Sequence, residues 1–332
     1  MKLESYPPVF RAQETTVDPD EPHGSDLGLE PDPTPFLDFH GLDLDLLLLA
    51  GACKEWGLFR LANHGVPPAL LTQLQDQARE LFGLPFETKR DLFANPPVSY
   101  FWGTPALTPS GDALSGGLRN VNWVEGFNVP LGDIDRFCPD HPLLRRFREL
   151  VEEYGRQMGR VGRAIFEGMA KSLDMDVEQT RRCLSEGTGI LRIYRYPKCG
   201  TASEETWGMD AHTDSSVLSI VSQDGVGGLE VAKDGKWHLV HPLADALVVN
   251  LGDMMQAMSD DKYKSAKHRV KVNKYEERLS ICYFVFPEPG CVVPRMSSSK
   301  YRPFTYGDFQ SQVQQDIKTL GTKVGLQRFE II

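Results

Sequence analysis

The chain has 332 residues, 41% of them apolar and 10% aromatic, enough to bury a large core in one extended domain or two merged ones. Its 36 Lys and Arg face 46 Asp and Glu, and a formal net charge of −10 argues against nucleic acid or an anionic membrane as the main partner, leaving small molecules. The opening MKLESYPPVF has no leader-like apolar stretch, the longest apolar run (Leu46 to Ala52) is too short to cross a bilayer, and six scattered cysteines without a CxxC pair predict reduced thiols in a cytoplasmic or nuclear protein.

Residues 1–33 are rich in Pro, Asp, Glu and Gly and read as a flexible N-terminal arm. The folded unit begins at Thr34. PFLDF reads as a short strand, Leu44 to Trp56 as a helix, and GLFRLANHGV as a strand ending in a turn. Pro68 to Phe82 returns to helical spacing through Leu70, Leu71, Leu74, Ala78 and Leu81. Between Asn95 and Pro130, Pro, Gly, Trp and Phe occur without a period, which predicts a long loop or irregular strands over a pocket, a candidate lid. Leu143, Phe147, Leu150, Tyr154, Met158, Val161, Ile165 and Met169 then recur every three or four residues, the stripe of a core-facing helix rather than a cofactor site.

From Thr188 to Pro287 short β-branched runs alternate with hairpin punctuation such as Asp234-Gly235, and roughly eight strands at this spacing fit a double-sheet jelly roll. Tyr306 to Leu320 is amphipathic again, with Phe309, Val313, Ile317 and Leu320 on one side. The expected organisation is the arm 1–33, a region 34–187 of strands, helices and the candidate lid, and a jelly-roll core 188–332 with a C-terminal helix. The fold class is α+β, mainly β.

Chemistry concentrates in the core region. In His212-Thr213-Asp214 the two ligating side chains stand two residues apart, so on extended backbone they leave the same face and can reach one ion. His268, on a later strand, completes two imidazoles and one carboxylate, the facial set that leaves open positions on ferrous iron. The HxD triplet by itself is common by chance. Ten residues beyond His268, Arg278-Leu279-Ser280 repeats the same-face spacing with a guanidinium fork and a hydroxyl, which suit the distal carboxylate of 2-oxoglutarate. Arg278 could instead be a strand-edge charge paired with Glu276 or Glu277; the neighbouring metal pattern favours the clamp.

EWGLFRLANHGV, YRYPKC, AHTDSS, VGGLEV, VVNLGDMMQAMSDDKYKSAKHRV and ERLSICYFVFP together resemble the plant-type 2-oxoglutarate/iron(II) dioxygenases from Thr34 to Phe329. The resemblance implies a distorted double-stranded β-helix (jelly roll) flanked by helices, iron at His212, Asp214 and His268, and 2-oxoglutarate at Arg278, Ser280 and Tyr196. It also implies O2 as co-substrate, ascorbate as reductant, and hydroxylation of an unactivated C–H bond coupled to release of succinate and carbon dioxide. Tyr194 stands where the family usually carries Asn, which changes a polar contact near the cofactor and the shape of the pocket.

Within that family YFWGTPA, NWVEGFNVPL and FTYGDFQSQVQQDIKTLGTKVGLQRF look most like gibberellin 2-beta-dioxygenases. A gibberellin is an apolar polycyclic acid, so Trp102, Trp123, Phe127, Tyr194 and Phe284 are candidate walls and Arg192 or Arg195 candidate partners for its carboxylate. Each is as well explained by core packing or a solvated charge, and Glu125 is left without a role. The same chemistry on an auxin, a flavonoid or another phenolic is the alternative. A pocket that binds without turnover, or a zinc hydrolase, is the alternative of another class, and the 2-oxoacid clamp opposes the hydrolase. Oligomeric state is not legible.

Overall fold

The strand-rich half folds as two facing sheets in the computed structural model, which describes residues 3–11, 32–40, 45–103, 122–176, 184, 189–200, 206–293 and 300–331. In chain order the strands are β1 (Phe36–Asp38), β2 (Leu58–Ala62), β3 (Ser99–Trp102), β4 (Glu125–Pro130), β5 (Ile190–Tyr196) and β6 (Trp207–His212). They continue with β7 (Leu218–Gln223), β8 (Leu229–Lys233), β9 (Lys236–Leu239), β10 (Leu247–Leu251), β11 (His268–Lys271) and β12 (Arg278–Val285). The main sheet runs β1-β2-β10-β7-β12-β5-β4-β3 and the smaller one β6-β11-β8-β9, the jelly-roll arrangement expected. Strands from the 34–187 region therefore extend the same sheet as β5 and β12.

Strand parity decides what each face of the main sheet meets. Leu191 and Ile193 of β5 and Leu279, Ile281 and Tyr283 of β12 point outward into the larger core, built with the helices Pro68–Phe82 and Pro142–Ser172. The stripe Phe147, Tyr154, Met158, Val161 and Ile165 is fully buried there, each large side chain contributing about 1.5–3 kcal/mol. Proline opens this 31-residue helix and the His141 side chain caps the Leu143 amide. Tyr194, Tyr196, Cys282 and Phe284 point inward, toward Met209, Leu229, Val231 and Val270 of the smaller sheet. The inter-sheet space is thus walled by alternate residues of strands whose other residues anchor the fold.

Three expectations are corrected. The arm is not loose throughout: Leu3–Ser5 forms a 3-10 turn and Pro8–Arg11 a short helix, with Ser5, Tyr6 and Phe10 buried. The Ser5 carbonyl accepts from Lys89 Nζ (2.6 Å) and Arg195 Nη2 (3.1 Å), and Arg195 lies over the Tyr6 ring at 4.6 Å. Composition averaged over 33 residues hid this anchor; 12–31 lie outside the described residues. Part of the candidate lid is regular, since β3 pairs antiparallel with β4, while 104–121 lie outside the described residues. Finally, Cys291 is disulfide-bonded rather than reduced, whereas Cys53, Cys138 and Cys282 are free thiols.

Candidate active site

His212 ends β6 and pairs in register with His268 at the start of β11, so two imidazoles face each other across neighbouring strands with ring centroids 4.3 Å apart. Asp214 follows on the loop after β6. Its Oδ1 lies 3.6 Å from His212 Nε2 and 4.0 Å from His268 Nε2, and one ligand atom from each residue falls within 4.8 Å of the others, close enough to hold one ion. The Nδ1 atoms lie against backbone carbonyls, His212 on Asp210 (2.7 Å) and His268 on Ala266 (3.0 Å). A carbonyl only accepts, so each Nδ1 carries a proton toward its carbonyl, and Nε2 is the ring atom on the Asp214 side, available to a metal.

Asp214 is oriented just as firmly. Its Oδ2 accepts from Ser219 Oγ (2.6 Å) and Asn250 Nδ2 (2.7 Å), leaving Oδ1 for the imidazole side. Burial works to raise its carboxyl pKa, but His268, His212 and Ser219 together hold it well below the usual carboxylate range. Burial, reinforced by His212, pushes the His268 imidazole down, which keeps it neutral. At neutral pH the trio therefore presents one carboxylate and a neutral His268, a donor set suited to a divalent metal.

The surrounding loops are pinned from afar. The Asp253 amide donates to the Asp214 carbonyl (2.8 Å), and Lys323 Nζ donates to the Thr213 carbonyl (2.8 Å) while pairing with Asp253 Oδ2 (2.7 Å). Gly252 permits this crossing: a Cβ there would stand 2.2 Å from the Ser216 carbonyl.

A second polar cluster lies on the same inner face. β12 pairs Arg278 with Tyr196 and Ser280 with Tyr194 of β5, and Ser280 with Gln223 of β7. Arg278 Nη1 donates to Ser280 Oγ (3.2 Å) and Nη2 to Gln223 Oε1 (2.8 Å), while its Cζ lies 5.0 Å from the Tyr196 ring centre. Its Nε is buried and has no hydrogen-bond partner. The strand-edge alternative is not what forms, because Glu277 turns to Arg195 and Tyr6. A buried guanidinium with only neutral partners and one orphaned donor demands an anion, and the fork beside two hydroxyls fits a carboxylate. Burial raises the Tyr196 phenol, so its hydroxyl stays a donor.

Of the sequence-derived pocket residues, the structure gathers three. Tyr194 stands two residues from Arg192 on the same face of β5, edge-on to Phe101 at 5.8 Å. Arg192 Nε donates to Asn128 Oδ1 (3.0 Å), and its Cζ lies 5.5 Å from the Phe284 ring centre. Phe284 continues an aromatic row through Phe286 (6.1 Å) to Tyr306 (5.4 Å).

The others are placed elsewhere. Arg195 has the opposite parity to Arg192 and is buried against Glu125 (Nε to Oε1 2.6 Å), which also accepts from Lys89 Nζ (2.6 Å). Phe127 sits in the outer core, 4.6 Å from Phe82 and 4.7 Å from Phe93. Trp102 and Trp123 pack on Phe10, at 6.0 and 4.2 Å, in a separate cluster with Tyr6 and Val272. Strand parity separates these groups, and the strand boundaries had to be known before it could be applied. Ser219, Asn250, Gln223 and Lys323 were missed; only Asn250, a polar residue inside the apolar run ALVVNL, carries a signal of its own.

Residues 187–287 match the family model of the 2OG-Fe(II) oxygenase superfamily, and 38–147 match that of the non-haem dioxygenase in morphine synthesis N-terminal region. The chain is 38% identical to gibberellin 2-beta-dioxygenase 6 of Oryza sativa subsp. japonica over 85% of its length and 78% of that protein. Among solved structures it is similar to JOX2 in complex with 2OG, Fe and JA (26% identity, TM-score 0.74, 92% of each chain). It is likewise similar to the dioxygenase for auxin oxidation in rice (27% identity, TM-score 0.71, 90% of this chain and 99% of that one). Among the described residues no helix is long and apolar enough to cross a membrane.

Proposed function

Because this chain belongs to the 2OG-Fe(II) oxygenase superfamily, dioxygenases that use iron(II) and 2-oxoglutarate, we propose that it hydroxylates a gibberellin at the 2-beta position, the change that inactivates the hormone. The observation that carries the substrate assignment is the likeness, over most of the chain, to proteins named for that activity.

In this reading His212, Asp214 and His268 hold the iron, and Arg278, Ser280 and Tyr196 hold the far carboxylate of 2-oxoglutarate. When bound, the metal and the oxoacid supply the oxidising chemistry: loss of carbon dioxide from the oxoacid is coupled to insertion of one oxygen atom of O2 into a substrate C–H bond. The chain's own contribution is aim and dryness. Ser219 and Asn250 fix the carboxylate of Asp214, the Asp210 and Ala266 carbonyls fix the two imidazole rings, and the orphaned Arg278 donor takes up the dicarboxylate. The aromatic row Phe284, Phe286 and Tyr306 holds the apolar body of the substrate away from water.

The test is aerobic incubation of purified protein with iron(II), ascorbate, 2-oxoglutarate and a gibberellin panel, with products weighed by mass spectrometry. One added oxygen, matched by succinate, is expected; gibberellins left unchanged refute the substrate. A second reading keeps the chemistry on another small acid, favoured by the similarity to the rice auxin oxidase, and extending the panel to auxin separates the two.

A further inference from the structure

The smaller sheet carries both imidazoles, yet the two strands that bear them are loosely laced. β6 is the edge strand, with β11 as its neighbour in the sheet. Along its other side the Trp123 amide donates to the Trp207 carbonyl (2.9 Å) and the Asp210 amide donates to Asn122 Oδ1 (3.0 Å). The ladder between β6 and β11 slips twice within a few residues. His268 faces His212, Val270 faces Met209 and Lys271 faces Trp207, so β6 carries an extra residue on either side of Met209. Asp210, whose carbonyl sets the His212 ring, lies inside one of these slips. Backbone pairing alone therefore locates His212 weakly against its partner, because a bulged edge strand with a short ladder has little to fix its register.

The outer face of the same sheet supplies a second lacing. Arg269 follows His268 and by strand parity points away from it. Its guanidinium lies between two indoles, with Cζ 4.1 Å from the Trp207 ring centre and 3.9 Å from that of Trp237, and its Nε donates to Glu230 Oε2 (2.5 Å). Trp207 belongs to β6, Arg269 to β11, Glu230 to β8 and Trp237 to β9, so one stack touches every strand of the sheet. Glu230 stands directly opposite Arg269 in the ladder, and the two side chains are only 18% and 21% exposed, which shields the ion pair from water. Rings on both faces fix the plane of the guanidinium, a restraint that a lysine ammonium cannot match.

We propose that Arg269 is a positioning residue for the metal site: the Trp207–Arg269–Trp237 stack, anchored on Glu230, sets β6 against β11 and thereby His212 against His268. The action passes through the backbone. Arg269 shares a peptide bond with His268, and Trp207 begins the strand that His212 ends.

This inference rests on the reading of His212, Asp214 and His268 as a metal site and not on any substrate. The purified apo-protein is titrated with cobalt(II), whose visible absorption reports the arrangement of its ligands, and the stability of each variant is read from its urea midpoint. Arg269→Met is expected to raise the cobalt dissociation constant about 10-fold and to change the band shape of the saturated complex. Arg269→Lys recovers part of the affinity. Trp237→Leu leaves the Glu230 pair in place and is expected to weaken cobalt binding about threefold. Trp237 lies on the strand farthest from β6, so this variant decides the matter if Arg269→Met does not fold. Ile165→Val, a cut in the outer core, lowers stability alone and is expected to leave cobalt binding unchanged. An unchanged constant and spectrum in Arg269→Met and Trp237→Leu overturns the proposal, and so does an equal loss of affinity in Ile165→Val. Cobalt held as tightly by His212→Ala as by the wild type refutes the metal site itself, whereas loss of cobalt in His212→Ala beside normal binding in Arg269→Met refutes this inference alone.

Discussion

Lys323 donates to the backbone carbonyl of Thr213, the residue between two of the proposed metal ligands, across 110 positions of sequence. The same ammonium pairs with Asp253, whose amide holds the Asp214 carbonyl, so one cation braces the ligand loop from two sides. Lys323→Met is expected to raise the iron(II) dissociation constant about 10-fold while Lys323→Arg retains most of the affinity. Anaerobic iron titration checks this, and an unchanged constant would mean that the loop holds its shape unaided.

Asn250 fixes the Asp214 oxygen that faces away from the imidazoles. Asn250→Ala frees the carboxylate to rotate and is expected to weaken iron binding by about 10- to 100-fold without unfolding the sheet. Circular dichroism beside the titration distinguishes loss of orientation from loss of fold.

Arg278→Met removes the proposed carboxylate fork from a pocket with no other described guanidinium hydrogen-bonded to Ser280. The 2-oxoglutarate dissociation constant is expected to rise at least about 100-fold, with iron affinity nearly unchanged. Retained 2-oxoglutarate binding would move the oxoacid elsewhere.

The acid limit of the apo-protein follows from the folded site. Burial first, then His212, lowers the His268 pKa from its ordinary 6.5, so below that value the unfolded chain binds more protons there than the folded one. Stability therefore falls as the pH drops below about 6.5. Asp214 acts in the same direction lower down: its folded pKa is depressed, and the stability it adds above the ordinary 3.8 is lost as acid titrates it. Urea unfolding between pH 8 and 5 should show the first decline, and His268→Gln should flatten it.

Glu125 is the carboxylate shared by Lys89 and Arg195 in the interior. Glu125→Gln leaves two buried cations short of a counter-charge and is expected to destabilise the fold by about 3–5 kcal/mol, read from denaturant midpoints. A loss below about 1 kcal/mol would show that Ser5 and Glu277 suffice for the cations.

The proposed metal trio was legible because its geometry is short-range: His212 and Asp214 announce themselves by spacing, and the Arg278-Ser280 pair by the same rule. Helices such as Pro68–Phe82 and Tyr306–Leu320 were equally plain, their period and ends being local. Pocket walls were not. Arg192 and Arg195 are both arginines in one strand, and only the pairing of β5 with β4 and β12 shows which faces the inter-sheet space. Lys323 lay beyond reach because its partner is set by the path of the whole chain. Ser5, Tyr6 and Phe10 were lost in the average composition of their surroundings.

The seat of residues 3–11 has a consequence for synthesis. Its pieces are Lys89, Glu125, Arg195 and Glu277, the last joined to Tyr6 across 271 positions. Residues 3–11 are therefore synthesised long before the seat that receives them is complete, and that seat stays open until Glu277 has been made.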